Sequence, residues 1–535
     1  MIKSHKQTFL QGTLTLVLAN AIVKIIGAVF KIPLTYLIGP DGMGIYGAAY
    51  EIYKWLFIIA TAGLPIAVSK MVSESMACDN REEAHRIFKV AFGLLSVIGI
   101  VGTSILFFGA KFFADSFGNS RAYLAVMAMS PSLFFVALMS AYRGYFQGLQ
   151  NMVPTAISEV VEALGKLVIG YLLAYLWVPK GIEYAAAGAI LGVSTGSFLG
   201  AAILFIIHRF YRSKNVGRRK TATVHTSRYR TGSDILRYLI KIAVPITLGA
   251  SVFSLTSVID AAMIMNRLQS IGYGEREAST LYGYLSQYAV TMFNLPPTLI
   301  VAMGISIVPA ISSAFAVKDM RLAKKTTESA LRITLLFSLP CAIGLSVLSG
   351  PILQLVYRDT GAEKLLNILG IAVIFVSLVL VTNAILQATG RVFIPVRNML
   401  IGGIIKVIVN YFVVGIDYIN IKGAPLGTNI CYFVIAMLNL ISVKKYTRAE
   451  YKFMDFVFKP VIAVASMVIA VVFTYDKLML GTQSNSIATL GAIVIGALMY
   501  GLMLIAIGGI RKEDIELMPK GQKILRIMNR FGMLK

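Results

Sequence analysis

Fourteen segments of this chain stay apolar for long enough to cross the roughly 30 Å hydrocarbon core of a bilayer, a distance that takes about 20 helical residues. Their approximate limits are 9–38, 45–69, 88–110, 122–147, 156–178, 184–207, 235–265, 281–311, 329–349, 364–388, 396–416, 424–443, 456–474 and 486–508. A backbone inside hydrocarbon must satisfy its own amides, so segments of this length read as helices. Composition agrees: 57% of the 535 residues are hydrophobic and 14% charged, with a mean hydropathy of +0.76. The expected fold class is all-α integral membrane, with 14 transmembrane helices. Lys3, Lys6, the run Phe9–Leu18 and Ala19-Asn20-Ala21 resemble a cleavable signal peptide. The apolar pattern continues to Ile38, so this stretch reads as an uncleaved first span.

The net charge of +25 comes from 50 Lys and Arg against 25 Asp and Glu. In a soluble protein it would suggest nucleic acid, but here its location decides. With the N-terminus inside, the most basic stretches, 209–230 and 511–535, both fall on the cytoplasmic side. That is the positive-inside pattern, with attraction to anionic membrane lipids as a second effect. No nucleic-acid partner is expected. Cys78, Cys341 and Cys431 are far apart and give neither a disulfide framework nor a metal spacing. The four histidines, His5, His85, His208 and His225, fall outside the apolar segments, so the ingredients of an intramembrane acyltransferase or metalloprotease are missing. Without a Walker A loop, ATP hydrolysis is not expected either.

The chain repeats itself. "YFQGLQNMVPTAISEVVEALGKLVIGY" (Tyr145–Tyr171) aligns without a gap on "ILQATGRVFIPVRNMLIGGIIKVIVNY" (Ile385–Tyr411), bringing Gln147 onto Gln387, Lys166 onto Lys406 and Tyr171 onto Tyr411. The next spans open with "GAILG" (Gly188–Gly192) and "GAPLG" (Gly423–Gly427), a small-xxx-small spacing that lets helices pack closely. "IYGAAY" and "LYGYLS" open spans two and eight. Spans 1–6 and 7–12 therefore read as two pseudo-symmetric six-helix lobes. The expected organisation is a first lobe over 1–207, a basic cytoplasmic linker over 208–234 and a second lobe over 235–443. Two C-terminal spans follow over 444–510, then a basic cytoplasmic tail over 511–535. A substrate site is expected between the halves.

Ionisable residues inside spans mark function by default, because each needs a wet cavity or a partner. Lys24 and Lys31 lie seven residues apart in the first span, on one helix face and roughly 10 Å apart. No carboxylate occurs before Asp41 to neutralise them. An ammonium group held in a cavity attracts an anion, and phosphate is the anion that lysine binds as a point charge. Glu51 and Lys54 form an i,i+3 pair in the second span, and Glu162 and Lys166 an i,i+4 pair in the fifth, near Glu159. Asp260 in the seventh span either pairs with Lys406 of the eleventh or joins it and Asn410 in an ion site. The candidate substrate-binding residues are Lys24, Lys31, Glu51, Lys54 and Lys166. Gly27, Pro33 and Pro245 interrupt spans one and seven and are candidate hinges. No catalytic or metal-ligating residues are expected.

"TFLQGTLTLVLANAIVKIIG" (Thr8–Gly27), "YLIGPDGMGIYGAAY" (Tyr36–Tyr50) and "AGLPIAVSKMVSE" (Ala62–Glu74) resemble the stage V sporulation protein B and polysaccharide-export branch of the MOP exporters, a superfamily that includes lipid II flippases and MATE transporters. The resemblance covers essentially the whole chain. It implies two six-helix lobes that open alternately inward and outward, with a lateral groove for lipid tails beside spans 13 and 14. The substrate implied is an undecaprenyl-pyrophosphate-linked glycan, moved across a bacterial cytoplasmic membrane by a multi-pass monomer with both termini inside. Lys24 matches the first cavity arginine of the lipid II flippases, and Lys31 matches the second after a one-residue shift. Lys54 sits one turn before the second-span arginine, and Thr291 stands near the eighth-span one without its charge. No cofactor is implied, although some relatives bind sodium in the second lobe; Asp260 and Asn410 are positioned for that, with Lys406 nearby as a replacement for the ion. Two other functions stay open. A cation-coupled multidrug exporter would favour carboxylates where Lys24 and Lys31 stand. A membrane glycosyltransferase or acyltransferase would need catalytic acids or histidines in external loops, which are short.

Overall fold

The computed structural model describes residues 9–78, 80–216, 231–298, 300, 311–315, 317, 319–451 and 454–509. Helices account for nearly all of these residues, and no strand occurs among them. Eleven of the described helices are long and apolar enough to cross a membrane. They include the first twelve expected spans except the seventh and eighth, and both C-terminal ones, with the first two merged into one. The expected eighth span extends into 301–310, which lies outside the described residues, as do most of the basic linker and the whole of the basic tail.

Helix α1 (Phe9–Thr61) is two helices meeting at Gly39, whose φ of +64° and ψ of −177° no neighbouring helical residue shares. A positive φ costs glycine nothing, and Pro40 then starts the second arm at the one place where a missing N–H does no harm. Gly27 and Pro33 lie inside the unbroken first arm, so the chain turns at Gly39 and not at either of them. The expected second span over 45–69 is itself divided: α1 ends at Thr61, and α2 runs over Leu64–Ala77. Helix α3 (Arg81–Phe108) begins where Asn80 accepts a 3.0 Å bond from the Glu83 amide, satisfying an otherwise orphaned donor. Short α4 (Ala110–Ser116) leads into α5 (Tyr123–Gly148). Helix α6 (Val153–Gly165) passes through a π-turn (Lys166–Gly170) into α7 (Tyr171–Trp177). Helix α8 covers Ile182–Val216, α9 covers Gly232–Ser270 and α10 covers Glu275–Gly283. A capping box between Thr231 and Asp234 starts α9, which runs through Pro245 without a break.

By packing, the chain divides into two units, 1–283 and 284–535. In the first, α5 packs on α3 and α8, and α1 packs on α5, α6, α8, α9 and α10. In the second, the helices Met320–Val347, Glu363–Ala388, Phe393–Val414 and Gly423–Thr447 enclose a core that includes Leu331, Val379, Leu386 and Ile435. An amide network ties that core. Asn439 donates to Asn383 Oδ1 (2.8 Å) and Thr382 (3.0 Å), and accepts from Asn398 (2.9 Å). Helices Lys459–Thr482 and Asn485–Ala506 pair with each other, and the buried Tyr500 hydroxyl donates to the Leu336 carbonyl at 2.7 Å.

The repeat is visible in the packing of each unit. A Cβ added to Gly188 would lie 2.9 Å from the Leu173 carbonyl carbon and 3.0 Å from the Ala174 nitrogen. One added to Gly423 would lie 2.9 Å from the same two atoms of Val413 and Val414, the residues aligned with that pair. One turn further, Gly192 meets Gly170 and Gly427 meets Asn410, again aligned positions. At the third contact the sizes are exchanged. Gly200 accommodates Glu162 in the first unit, while in the second Gly402 accommodates Ile435.

Candidate functional site

The elbow at Gly39 folds the two arms of α1 against each other, so that Phe30 and Tyr46 lie 6.3 Å apart between ring centroids. Their facing surfaces carry the charges. Lys31, on the first arm, is within electrostatic range of Glu51 and Lys54 on the second and of Lys166 in the π-turn. Glu51 and Lys54 form the expected i,i+3 pair at 3.3 Å. Lys31 thus has two further ammonium groups and the Glu51 carboxylate within electrostatic range.

Lys166 differs from expectation. Its i,i+4 neighbour Glu162 is taken by Arg143, at 3.0 Å, and by the Ser197 hydroxyl, at 3.1 Å. Arg143 also donates to Ser158 at 3.0 Å, so this half-buried pair is held by further hydrogen bonds. The π-turn begins at Lys166 itself, so its side chain departs from the regular i,i+4 geometry. Its Nζ lies over three rings instead: Tyr50 at 4.9 Å, Phe30 at 5.1 Å and Tyr46 at 5.8 Å from the centroids. Ring faces attract a cation without neutralising it. Among the described residues, no carboxylate forms an ion pair with Lys166. A π-turn inside a membrane helix often marks a functional position.

Lys24 stands apart from this group, exposed on the first arm, with no hydrogen bond or ion pair among the described residues. The other candidates fall in separate units: Asp260 is buried in α9 of the first, and Lys406 and Asn410 lie on Phe393–Val414 of the second. Thr291 donates to the Gln287 carbonyl at 2.6 Å. Two histidines also depart from the sequence reading. His208 is buried inside α8 against Phe88, 4.6 Å between ring centroids, and stacks on His85 of α3. They are packing elements of a ring cluster with Tyr142 and Tyr145.

Sequence reasoning missed a polar cluster at the elbow. Asp41, only 7% exposed, receives two hydrogen bonds from Arg121, at 2.8 and 3.0 Å, and forms an ion pair with Arg276 at 3.3 Å. Arg121 also donates to Glu183 at 2.8 Å, and its backbone amide donates to Glu275 at 3.2 Å. Asn119 donates to Ser279, whose hydroxyl donates to the Asp41 carbonyl, both at 3.2 Å. The α9–α10 turn is thereby fastened to the α1 elbow. Gly44 and Gly283 make that approach possible, since a Cβ on either would lie 2.0 Å from a facing carbonyl oxygen. Removal of one partner from a buried pair leaves a charge uncompensated and costs about 3–5 kcal/mol. Arg121→Ala should fall at the low end of that range, because Arg276 stays on Asp41. A drop in the thermal midpoint of the detergent-solubilised protein, largely restored by Arg121→Lys, is the expected result. An unchanged midpoint would mean that Arg276 replaces Arg121 fully.

A multi-span helical chain with a structural repeat is the architecture of a membrane transporter of the MOP superfamily. The chain belongs to the polysaccharide biosynthesis protein family, which matches residues 9–315, and the MatE family matches residues 285–412. It is similar to stage V sporulation protein B of Bacillus subtilis strain 168, with 25% identity across 97% of this chain and 100% of that one. Lipid II flippase MurJ of the same organism is 27% identical across 83% of this chain and 84% of its own length. Among solved structures, the lipid II flippase MurJ in an inward closed conformation superposes with a TM-score of 0.70 at 17% identity, covering 92% of this chain and 98% of that one.

Proposed function

We propose that this protein moves a polyprenyl-pyrophosphate-linked glycan, lipid II or a related wall or surface precursor, from the inner to the outer leaflet of a bacterial cytoplasmic membrane. The observation that carries the reading is the group of lysines at the α1 elbow, where Lys31 lies within electrostatic range of Lys166, Lys54 and Glu51 inside apolar helices. Ammonium groups gathered between apolar helices favour a polyanion, and a pyrophosphate is an anion of that kind. The relatives named as flippases support the same class, and a transport protein with no enzymatic step is the corresponding role. Both termini face the cytoplasm in this proposal, as the basic segments 209–230 and 511–535 require. The membrane potential, inside negative, then favours export: two negative charges crossing 100 mV gain roughly 4–5 kcal/mol.

The test is rescue. A bacterial host depleted of its own lipid II flippase would express this chain, with growth and outer-leaflet lipid II followed together. Restoration of both is expected. A well-expressed chain that restores neither would rule out lipid II and leave another polyprenyl-linked glycan to be assayed.

A further inference from the structure

At one end of the second unit two cations share one ring. The Arg391 guanidinium carbon lies 4.8 Å from the Tyr446 ring centroid, and the Lys445 ammonium lies 5.8 Å from the same centroid. Regular backbone puts both there. Helix Glu363–Ala388 closes in a Schellman turn: the Arg391 N–H donates to the Leu386 carbonyl and the Gly390 N–H to that of Gln387, each at 2.9 Å, with Gly390 at φ +78°. Lys445 lies in the last turn of Gly423–Thr447, which Arg448 ends in the left-handed region at φ +57°. Among the described residues no carboxylate pairs with Arg391 or Lys445. Glu450, five residues beyond Lys445, takes Lys324 instead, and its amide donates to Glu328 at 2.8 Å.

The repeat supplies an internal comparison. Asn151 occupies the position aligned with Arg391, behind the same kind of turn, and its N–H donates to the Phe146 carbonyl at 3.0 Å. Along the unbroken helix α8, Phe210 and Tyr211 align with Lys445 and Tyr446. The turn and the tyrosine are common to both copies, whereas the cations at these two positions are not, so the fold does not require them. Hydrocarbon lies exposed beside them. Ile441, one turn before Lys445, is 66% exposed, and Phe393, two residues past Arg391, is 83% exposed. Both belong to helices long and apolar enough to cross a membrane.

We propose that Arg391, Lys445 and Tyr446 form a headgroup site for an anionic glycerophospholipid, with its phosphate on the two cations and its acyl chains along Ile441 and Phe393. Arginine offers phosphate a two-pronged donor and lysine a point charge. A ring that already holds both side chains reduces the freedom they lose when the lipid binds. In the orientation proposed above this end faces the inner leaflet. Only the choice of leaflet rests on that reading, and the binding is independent of what is transported.

Binding of phosphatidylglycerol, phosphatidylcholine and inorganic phosphate to the full chain in detergent would be compared. Arg391→Gln and Lys445→Gln should each weaken phosphatidylglycerol about fivefold, and together about thirtyfold. Arg391 and Lys445 are exposed, so the thermal midpoint should not move. Tyr446→Phe keeps the ring and should bind as wild type, whereas Tyr446→Leu should lose much of what the double variant loses. Lys477→Gln removes an exposed ammonium that lies 5.7 Å from the Phe473 ring centroid, near the far end of Lys459–Thr482, and should change nothing. Phosphatidylcholine should bind equally to every variant. A loss of phosphatidylglycerol in the double variant no larger than in Lys477→Gln would reduce the attraction to diffuse surface charge and overturn the site. An equal loss of phosphatidylcholine would overturn its selectivity for anionic lipid. Inorganic phosphate held as tightly as phosphatidylglycerol, and lost in the same variants, would make it a site for free anions and overturn the lipid.

Discussion

A chain carrying Lys31→Ala together with Lys166→Ala should reach the membrane at wild-type level and yet fail to rescue a flippase-depleted host. Hydrogen bonds to charged groups contribute about 1.5–3 kcal/mol each, so each substitution should weaken diphosphate binding on the order of 10–100-fold. The two lysines interact through space, and their removal should therefore be less than additive. Two conservative variants separate charge from shape. Lys31→Arg keeps the cation and should retain most transport. Lys166→Met keeps the contact with Phe30, Tyr46 and Tyr50 but removes the charge, and should lose as much as Lys166→Ala. Full rescue by the double variant would reduce both lysines to structure. Loss in Lys166→Ala with retention in Lys166→Met would show that packing on the rings was what mattered.

The second large effect concerns the repeat. Gly192→Ala should destabilise the protein much more than Gly427→Ala, although the two glycines occupy aligned positions. The Cβ of the first would lie 2.2 Å from the Gly170 Cα, a backbone atom that moves only if two helices separate. The Cβ of the second would lie 1.9 Å from Asn410 Oδ1, the end of a side chain that can rotate. Overpacking costs about 1–3 kcal/mol and more where backbone must shift, against a gain of up to about 1 kcal/mol from replacing glycine in a helix. The expected outcome is a loss of about 2–3 kcal/mol for Gly192→Ala and about 1 kcal/mol for Gly427→Ala, read from thermal denaturation in detergent. Gly427→Ala combined with Asn410→Ala should recover part of its loss. Gly192→Ala and Gly427→Ala with equal midpoints would mean that α7 and α8 yield as readily as a side chain does.

The helices were legible because a bilayer imposes length and apolarity on each span, and these properties survive in any window of the sequence. The repeat was legible for a related reason: close helix approach demands small residues at fixed spacing, and "GAILG" and "GAPLG" keep it. Lys31 and the Glu51–Lys54 pair could be found because an ammonium group in an apolar run is costly wherever it occurs. The fate of Lys166 could not be found. Spacing pointed to Glu162, but the winning partner, Arg143, lies 19 residues away on another helix, and the π-turn that re-aims Lys166 leaves no mark in composition. The elbow cluster was hidden in the same way, since Asp41, Arg121, Glu183 and Arg276 are brought together from four segments. Their polar character reads as ordinary loop sequence until the chain is folded. Gly39 was visible only as one of 46 glycines.

That single bend makes the cation cluster a gauge of hairpin angle. Lys31 lies eight residues before Gly39 and Glu51 twelve after it, about 12 and 18 Å along their arms at 1.5 Å per residue. Rotation of one arm by about 10° about the bend would shift Lys31 relative to Glu51 by roughly 2 Å, the difference between a contact and a gap for a charged hydrogen bond. A diphosphate held by both arms would resist such rotation, and a hairpin already opened would hold the diphosphate less well. Occupancy and hairpin angle are therefore two readings of one equilibrium, and a change imposed on either must appear in the other.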